Sequence, residues 1–489
     1  MGTNLWSILP ELVLAGTLVL VLAADLLLRG RPDRPGALTL MATLGLLGAG
    51  ISLATLPGTG AFFDGLVVGD PLGRFFRGLF LVAGAMGIWF GLLSEEVPRT
   101  RFGEFVVLIL AATMGTCLLV QSRNLLMIAV SLELISLPSY ALAGFRRGDR
   151  LSSEAALKYV LYGAASTGLM LYGMSLLYGL AGTLDLPSLA PALGRELASG
   201  APPVRLGLAM GGLFTLAGLA YKVSAVPFHA WAPDVYQGAP TPVTAFLSVG
   251  PKAAGVAAMI RFLSEGFGSS ATGQPFFPWP VVIGLIAMAT MTVGNLAALA
   301  QDNVKRLLAW SSIAHAGYLL VGVSVGTPEA IRAVALYAPV YLLMNLGAFL
   351  AVLAVRHRTG AETMAAYRGL GTRSPWIAVS LTVFLFSLTG LPPLAGFIGK
   401  FYLFAAALEV GRPFFLVLAL VGVLNSVISL YYYARLVRAM FLDRGAGLPS
   451  VAAPRPVAWL LLVLAVPTLV LGLFWSPLAA LASWAAGLS

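Results

Sequence analysis

The sequence predicts an all-α polytopic membrane protein with about fourteen transmembrane helices, and three observations carry that expectation. Of its 489 residues, 59% are hydrophobic and only 10% are charged, at a mean hydropathy of +0.90, well outside the range of soluble globular chains. Apolar runs of about 20 residues, the length needed to cross hydrocarbon, recur from one end to the other. The arginines fall in the connections between those runs.

The first run, roughly Leu5 to Leu28, has no basic leading segment and carries Glu11 and Asp25, so it reads as a retained span and not as a cleaved leader. Later spans are expected to start near residues 36, 75, 105, 124, 156, 206, 242, 277, 306, 331, 376, 413 and 456. The longest polar connections, around Pro57 to Arg74 and Leu186 to Arg205, are too short to fold alone. The net charge of +10 would suggest a nucleic-acid partner in a soluble domain. Here a topological cause replaces that reading, because basic residues collect in cytoplasmic loops. Connections after odd-numbered spans hold eighteen of the basic residues and those after even-numbered spans hold eight. The odd connections are therefore expected in the cytoplasm and both termini on the opposite side. Cys117 stands alone, which excludes an internal disulfide and an iron–sulfur centre held by this chain by itself. Neither a P-loop, a dinucleotide fingerprint nor a nucleophile elbow is present, and three scattered histidines suggest no metal site.

The remaining basic residues are lysines. The chain has five, and Lys158, Lys222, Lys252 and Lys400 lie within or at the edge of expected spans. A charged side chain at the bilayer centre costs at least ~2.5–3.5 kcal/mol, so such residues mark ion or proton routes. An arginine keeps its proton at any working pH, whereas a desolvated lysine can release it. For Lys222, Lys252 and Lys400, central positions argue against snorkelling to an interface; for Lys158, snorkelling and a pathway role both stand.

Two short matches suggest an internal repeat. Glu154 to Tyr162 resembles Glu329 to Tyr337, and Phe214 to Leu219 resembles Phe386 to Leu391, at near-equal offsets of 175 and 172. Five spans separate each pair, an odd number, so the copies would cross in opposite senses, as in the inverted repeats of transporters. The second match leads in both copies into a helix expected to break: Pro227 follows Lys222, while Pro392 and Pro393 precede Lys400. Proline removes a backbone donor and clashes with the preceding turn, and backbone freed this way inside a membrane must be satisfied by protein or water. Pro251, directly before Lys252, suggests a third break.

Glu133, mid-span in Ser131-Leu-Glu-Leu, is either a buried carboxylate paired for stability or the partner of Lys222. In the second reading its approach holds the amine protonated and its withdrawal lets the proton go. His315 is either a proton relay between lysines or a packed core residue. His229 and Asp234 flank the end of span 7 in structural or functional roles, and His357 reads as a loop residue.

At these residues the chain resembles the antiporter-like membrane subunits of respiratory complex I, a proton-translocating NADH:quinone oxidoreductase. The run Tyr221-Lys-Val-Ser-Ala-Val-Pro-Phe-His-Ala-Trp-Ala-Pro-Asp-Val-Tyr-Gln-Gly-Ala-Pro-Thr-Pro-Val-Thr-Ala-Phe246 carries the likeness, with Asn303-Val-Lys-Arg-Leu-Leu-Ala-Trp-Ser-Ser-Ile-Ala-His-Ala-Gly-Tyr318 and Ser131-Leu-Glu-Leu. It is similar to the N-type: Gly-Pro-Lys252 stands on span 8, Lys400 stands where the M-type has a glutamate, and no long lateral helix of the L-type follows span 14. The resemblance implies three leading spans in residues 1–104, inverted five-helix repeats in 105–265 (spans 4–8) and 276–440 (spans 9–13) with spans 7 and 12 broken, and span 14 in 441–489. It implies a proton pathway through Glu133, Lys222, Lys252 and Lys400, with Lys158 and Lys305 as weaker candidates beside His315, whose place rests on its own residue chemistry. It also implies no cofactor on this chain, with FMN, iron–sulfur clusters and quinone belonging to the complex as a whole, and the other membrane-arm subunits as partners in a bacterial inner membrane. A subunit of a multisubunit cation/proton antiporter or membrane-bound hydrogenase shares the same core, and a structural spacer with inert lysines is the reading outside transport.

Overall fold

The computed structural model describes residues 5–56, 59–198, 202–267, 277–445, 450 and 454–488; the repeat boundary placed at residue 276 lies outside them. Helices α1 (Leu9–Leu27), α2 (Arg34–Ala54) and α3 (Pro71–Leu93) lead. Next are α4 (Phe102–Gln121), α5 (Leu125–Ala143), α6 (Arg150–Ala181), the short α7 (Leu186–Ala198), α8 (Pro202–Val223), α9 (Trp231–Gly238) and α10 (Thr241–Arg261). Then come α11 (Trp279–Leu299), α12 (Val304–Val325), α13 (Pro328–Thr359), the one-turn α14 (Leu370–Arg373), α15 (Pro375–Thr389), α16 (Ala395–Glu409) and α17 (Pro413–Phe441), and α18 (Arg455–Leu473) and α19 (Ser476–Ala485) close the bundle.

Thirteen helices among the described residues are long and apolar enough to cross a membrane. The remaining expected span is divided between α15 and α16, of 15 residues each. The connections hold more structure than their length suggested. An antiparallel hairpin of β1 (Gly60–Phe62) and β2 (Val67–Gly69), three residues a strand, lies between α2 and α3 of the all-α bundle, and α7 fills the connection after α6. After the last span, α19 turns back against α3 and α13.

Corresponding elements of the two halves are built alike. Asn124 and Asn303 cap α5 and α12, their side-chain oxygens accepting from Leu126 N and Arg306 N at 2.9 and 3.0 Å, which satisfies donors the first helical turn leaves free. Each asparagine also bridges to a residue beyond the next helix, Asp185 and Thr363. Both α6 and α13 run 32 residues and end on left-handed glycines, Gly182 (φ +66°) and Gly360 (φ +67°), a backbone that costs a Cβ-bearing residue about 1–2 kcal/mol.

All 21 residues of α10 are buried. Its Gly250, Ala253, Ala254, Gly255, Ala257 and Ala258 let neighbouring backbones approach closely, the usual basis of packing between membrane helices. This close packing explains the first of three corrections. The break expected at Pro251 is absent, and α10 is continuous through it: one missing hydrogen bond is tolerated in a helix enclosed by its neighbours. Two arginines expected in connections are buried within helices: Arg77 on α3 pairs with Glu11 of α1 at 2.5 Å, and Arg261 at the end of α10 pairs with Asp70 at 2.6 Å. His357 is likewise in the last turn of α13, not in a loop, with Nε2 2.8 Å from Glu95.

Candidate functional site

Spans 7 and 12 break as the prolines dictate. Pro227 lies between α8 and α9, and Pro392 and Pro393 between α15 and α16. At the first break Ser224 N and Ala225 N turn back to Tyr221 O and Ala220 O at 3.0 and 2.8 Å. The Trp231 indole N–H donates to Tyr221 O at 3.2 Å, so backbone at the open end of α8 is satisfied by protein. Lys222, on the last turn of α8 and 2% exposed, donates to Ser136 Oγ of α5 at 2.8 Å. Glu133, one turn earlier on α5, accepts instead from Thr167 Oγ1 of α6 at 2.8 Å. The two sequence-predicted partners are thus within electrostatic reach but form no ion pair.

Gly255 brings α10 against this lysine. A Cβ there would stand 2.7 Å from Val223 Cγ1 and 3.4 Å from Lys222 Cγ. One turn back on α10, Lys252 donates to Ser312 Oγ of α12 at 2.6 Å, and Tyr341 of α13 donates to the same oxygen at 2.9 Å. The Tyr341 ring stacks on His315 at 5.1 Å between centroids. His315 Nδ1 shares a 2.5 Å hydrogen bond with Tyr337 Oη, and its ring meets Tyr318 edge-on at 5.5 Å. The face of Tyr318 carries Lys400 Nζ 4.1 Å above its centre.

Lys400 sits on α16, just past the second break, and reaches back to the end of α15. It donates to Leu388 O and Thr389 O at 3.0 and 2.9 Å and to Ser426 Oγ of α17 at 3.3 Å. Side chains in direct contact therefore join Lys252 to Lys400 through Ser312, Tyr341, His315 and Tyr318.

Of the weaker candidates, His315 lies within this file, while Lys158 and Lys305 stand apart. Lys158 bridges Glu154 at 2.7 Å and Asp234 at 2.5 Å, with its side chain 36% exposed. Asp234 in turn holds Arg306 at 2.5 Å, so this set ties α6, α9 and α12. Lys305 is fully buried: it donates to Ala239 O, just past α9, at 2.8 Å and pairs with Glu362 at 3.3 Å. Arg356 pairs with both Glu362 and Glu96, which binds it at 2.5 Å. Burial pushes the Glu96 carboxyl up, but the charges of Lys305 and Arg356 and the Thr241 donors overcome it and hold the group below the usual carboxylate range. Beside it a cavity of about 370 Å³ is lined by Glu95, Glu96, Arg146, Arg356 and His357.

Sequence reasoning missed the hydroxyl partners Ser136, Thr167, Ser312, Tyr318, Tyr341 and Ser426. Their signal was weak: single hydroxyls in apolar runs mostly bond their own helix, as Ser139 does to Ile135 O at 2.6 Å. Among the described residues no group of three or more His, Cys, Asp or Glu side chains is placed to hold a metal.

Residues 122–429, more than half of the chain, match the family described as NADH:quinone oxidoreductase/Mrp antiporter, TM. The chain is 50% identical over 485 residues to NADH-quinone oxidoreductase subunit N 2 of Sorangium cellulosum, covering 96% of this chain and 94% of the relative. It resembles a chain of respiratory complex I from Thermus thermophilus with bound aureothin at 36% identity and a TM-score of 0.78, covering 97% of this chain and 100% of that one. A chain of the Mrp complex from Dietzia sp. shares the fold at a TM-score of 0.81 and 22% identity, covering 99% of this chain and 97% of that one. With its broken spans, its enclosed lysines and these relatives, the chain belongs to the antiporter-like membrane-subunit family of NADH:quinone oxidoreductases and Mrp antiporters, on the side of the subunits N.

Proposed function

We propose that this chain is the N-type proton-translocating subunit of an NADH:quinone oxidoreductase, and that it moves protons along Lys222, Lys252 and Lys400. The observation that carries the reading is the file of polar and aromatic side chains joining Lys252 to Lys400 across the two halves. The Ser312 and Tyr341 hydroxyls and the His315 imidazole can each donate and accept, which a proton relay requires; the steps from Tyr341 to His315, on to Tyr318 and to Lys400 are ring contacts, across which water carries the proton.

Glu133 acts as the variable partner. Its carboxylate is held by Thr167 while Lys222 rests on Ser136. A shift of α5 against α8 that brings the carboxylate to Lys222 stabilises the charged amine, and the reverse shift favours release toward Lys252. Energy for that shift comes from quinone reduction in partner subunits, delivered through the neighbouring membrane-arm subunits. With one cysteine, Cys117, the chain cannot by itself hold an iron–sulfur cluster. FMN, iron–sulfur clusters and quinone belong to the other subunits. The complex lies in a bacterial inner membrane with both termini of this chain on the non-cytoplasmic side, as the excess of basic residues in odd-numbered connections supports.

The test is proton uptake by inverted membrane vesicles carrying the assembled complex. Lys222→Met or Lys252→Met is expected to lower NADH-driven pumping about tenfold or more, ~1.4 kcal/mol on the rate-limiting step. Wild-type pumping in either variant removes that residue from the route.

A further inference from the structure

Lys400 has no carboxylate among its partners. An ammonium carries three donors, and three acceptors receive them: Leu388 O, Thr389 O and Ser426 Oγ. The first two are carbonyls at the end of α15, where a helix leaves its last acceptors unsatisfied and carries partial negative charge. Gly390 N and Leu391 N turn back only as far as Phe386 O and Ser387 O, which leaves the two terminal oxygens to the lysine.

The fourth contact is the face of Tyr318, 4.1 Å from the nitrogen and well inside the reach of a cation–π interaction. That ring is fixed from several sides. Asn295 Nδ2 and Ser426 Oγ both donate to its hydroxyl at 3.4 Å, while Phe404 and His315 meet the ring in edge geometry at 6.1 and 5.5 Å. A ring so constrained presents its negative face permanently to the amine.

We propose that Tyr318 is a positioning residue for Lys400, its π face serving as the counter-charge that a carboxylate supplies to Lys222. The inference rests on the proton-pathway reading above. Its consequence is chemical: when the amine gives up its proton, a neutral ring and two carbonyls remain, and no buried anion is stranded.

The test keeps the shape of the ring and changes its charge. In the assembled complex, Tyr318 is replaced by phenylalanine and then by mono-, di- and trifluorophenylalanine, which weaken the negative face stepwise. Phenylalanine is expected to retain at least about half of wild-type pumping, and the trifluoro ring to retain about a fifth, inside the range a desolvated cation–π contact supplies. A flat fluorine series overturns the proposal, and so does collapse with phenylalanine alone, which would place the function in the hydroxyl. Assembly is read from the amount of intact complex; if the trifluoro variant fails to assemble, the monofluoro variant carries the same comparison. A purely packing role leaves the series flat. Lys400→Met separates the two readings: wild-type pumping there sinks the pathway itself, whereas a loss there beside a flat fluorine series sinks only this inference.

Discussion

Lys222 and Lys400 serve the two broken spans from opposite sides of the break. Lys222 precedes its break, on the last turn of α8, and Lys400 follows its break, on the second turn of α16. At the first break Tyr221 O is taken by Ser224 N and by the indole of Trp231, donors that never change charge. At the second, Leu388 O and Thr389 O are taken by the lysine itself. The same helix-end problem is thus solved once by a permanent donor and once by a titratable one. The solution decides what else each lysine needs: Lys222 depends on α5 for a partner, with Ser136 in contact and Glu133 a turn away, while Lys400 takes two carbonyls of its own broken span and is completed by Ser426 of α17 and Tyr318 of α12.

The largest expected effect tests that dependence. Glu133→Gln keeps an acceptor for Thr167 and removes the charge; pumping in vesicles should fall about tenfold, ~1.4 kcal/mol. Glu409, the acid on α16, is exposed at the end of its helix, and Glu409→Gln should leave pumping unchanged. Equal losses from both substitutions would erase the distinction between the two sites.

A smaller effect is expected from the glycines that seat each lysine. Gly255→Ala drives a methyl to 2.7 Å from Val223 Cγ1 beside Lys222, and overpacking of this kind costs ~1–3 kcal/mol. Gly390→Ala forces φ +90° on a residue with a Cβ, 3.0 Å from Lys400 Cδ, at about 1–2 kcal/mol. Gly168 on α6 has open space around it, so Gly168→Ala should be neutral or stabilising by up to ~1 kcal/mol. Thermal unfolding of the detergent-solubilised complex reads all three. A Gly255→Ala protein as stable as Gly168→Ala would mean that α10 is not wedged against Lys222.

Spans, breaks and embedded lysines were legible because each follows from a strong local rule: an apolar run of fixed length, a proline, an amine among hydrocarbons. Pro227, Pro392 and Pro393 lie where the backbone does break, while Pro251 looked the same and does not break α10. The difference is tertiary, since α10 is enclosed on every side, and no local signal in Gly-Pro-Lys252 reports that. Arg77 was read as a loop residue because its partner Glu11 lies 66 positions away. The hydroxyls were invisible for a similar reason: Lys252 meets Ser312 across 60 residues, and only the packing of α10 on α12 brings them together.

Lys158 gives the smallest expected effect and marks the edge of the pathway. It contacts two acids, at 2.7 and 2.5 Å, and none of the hydroxyls or rings that lead toward Lys400. With its side chain 36% exposed, such pairs contribute only ~0–1 kcal/mol. Its tie to Asp234 positions α9, the half-helix after the first break, and Arg306 holds the same carboxylate from the other side at 2.5 Å. Lys158→Gln should therefore keep pumping within about twofold of wild type, because Arg306 still anchors Asp234 and the loss of ~0–1 kcal/mol is the whole of the effect. A loss as deep as that of Lys222→Met would instead make Lys158 a carrier and extend the titratable chain to α6, so that the first half would hold three mobile amines, Lys158, Lys222 and Lys252, where the second holds Lys400.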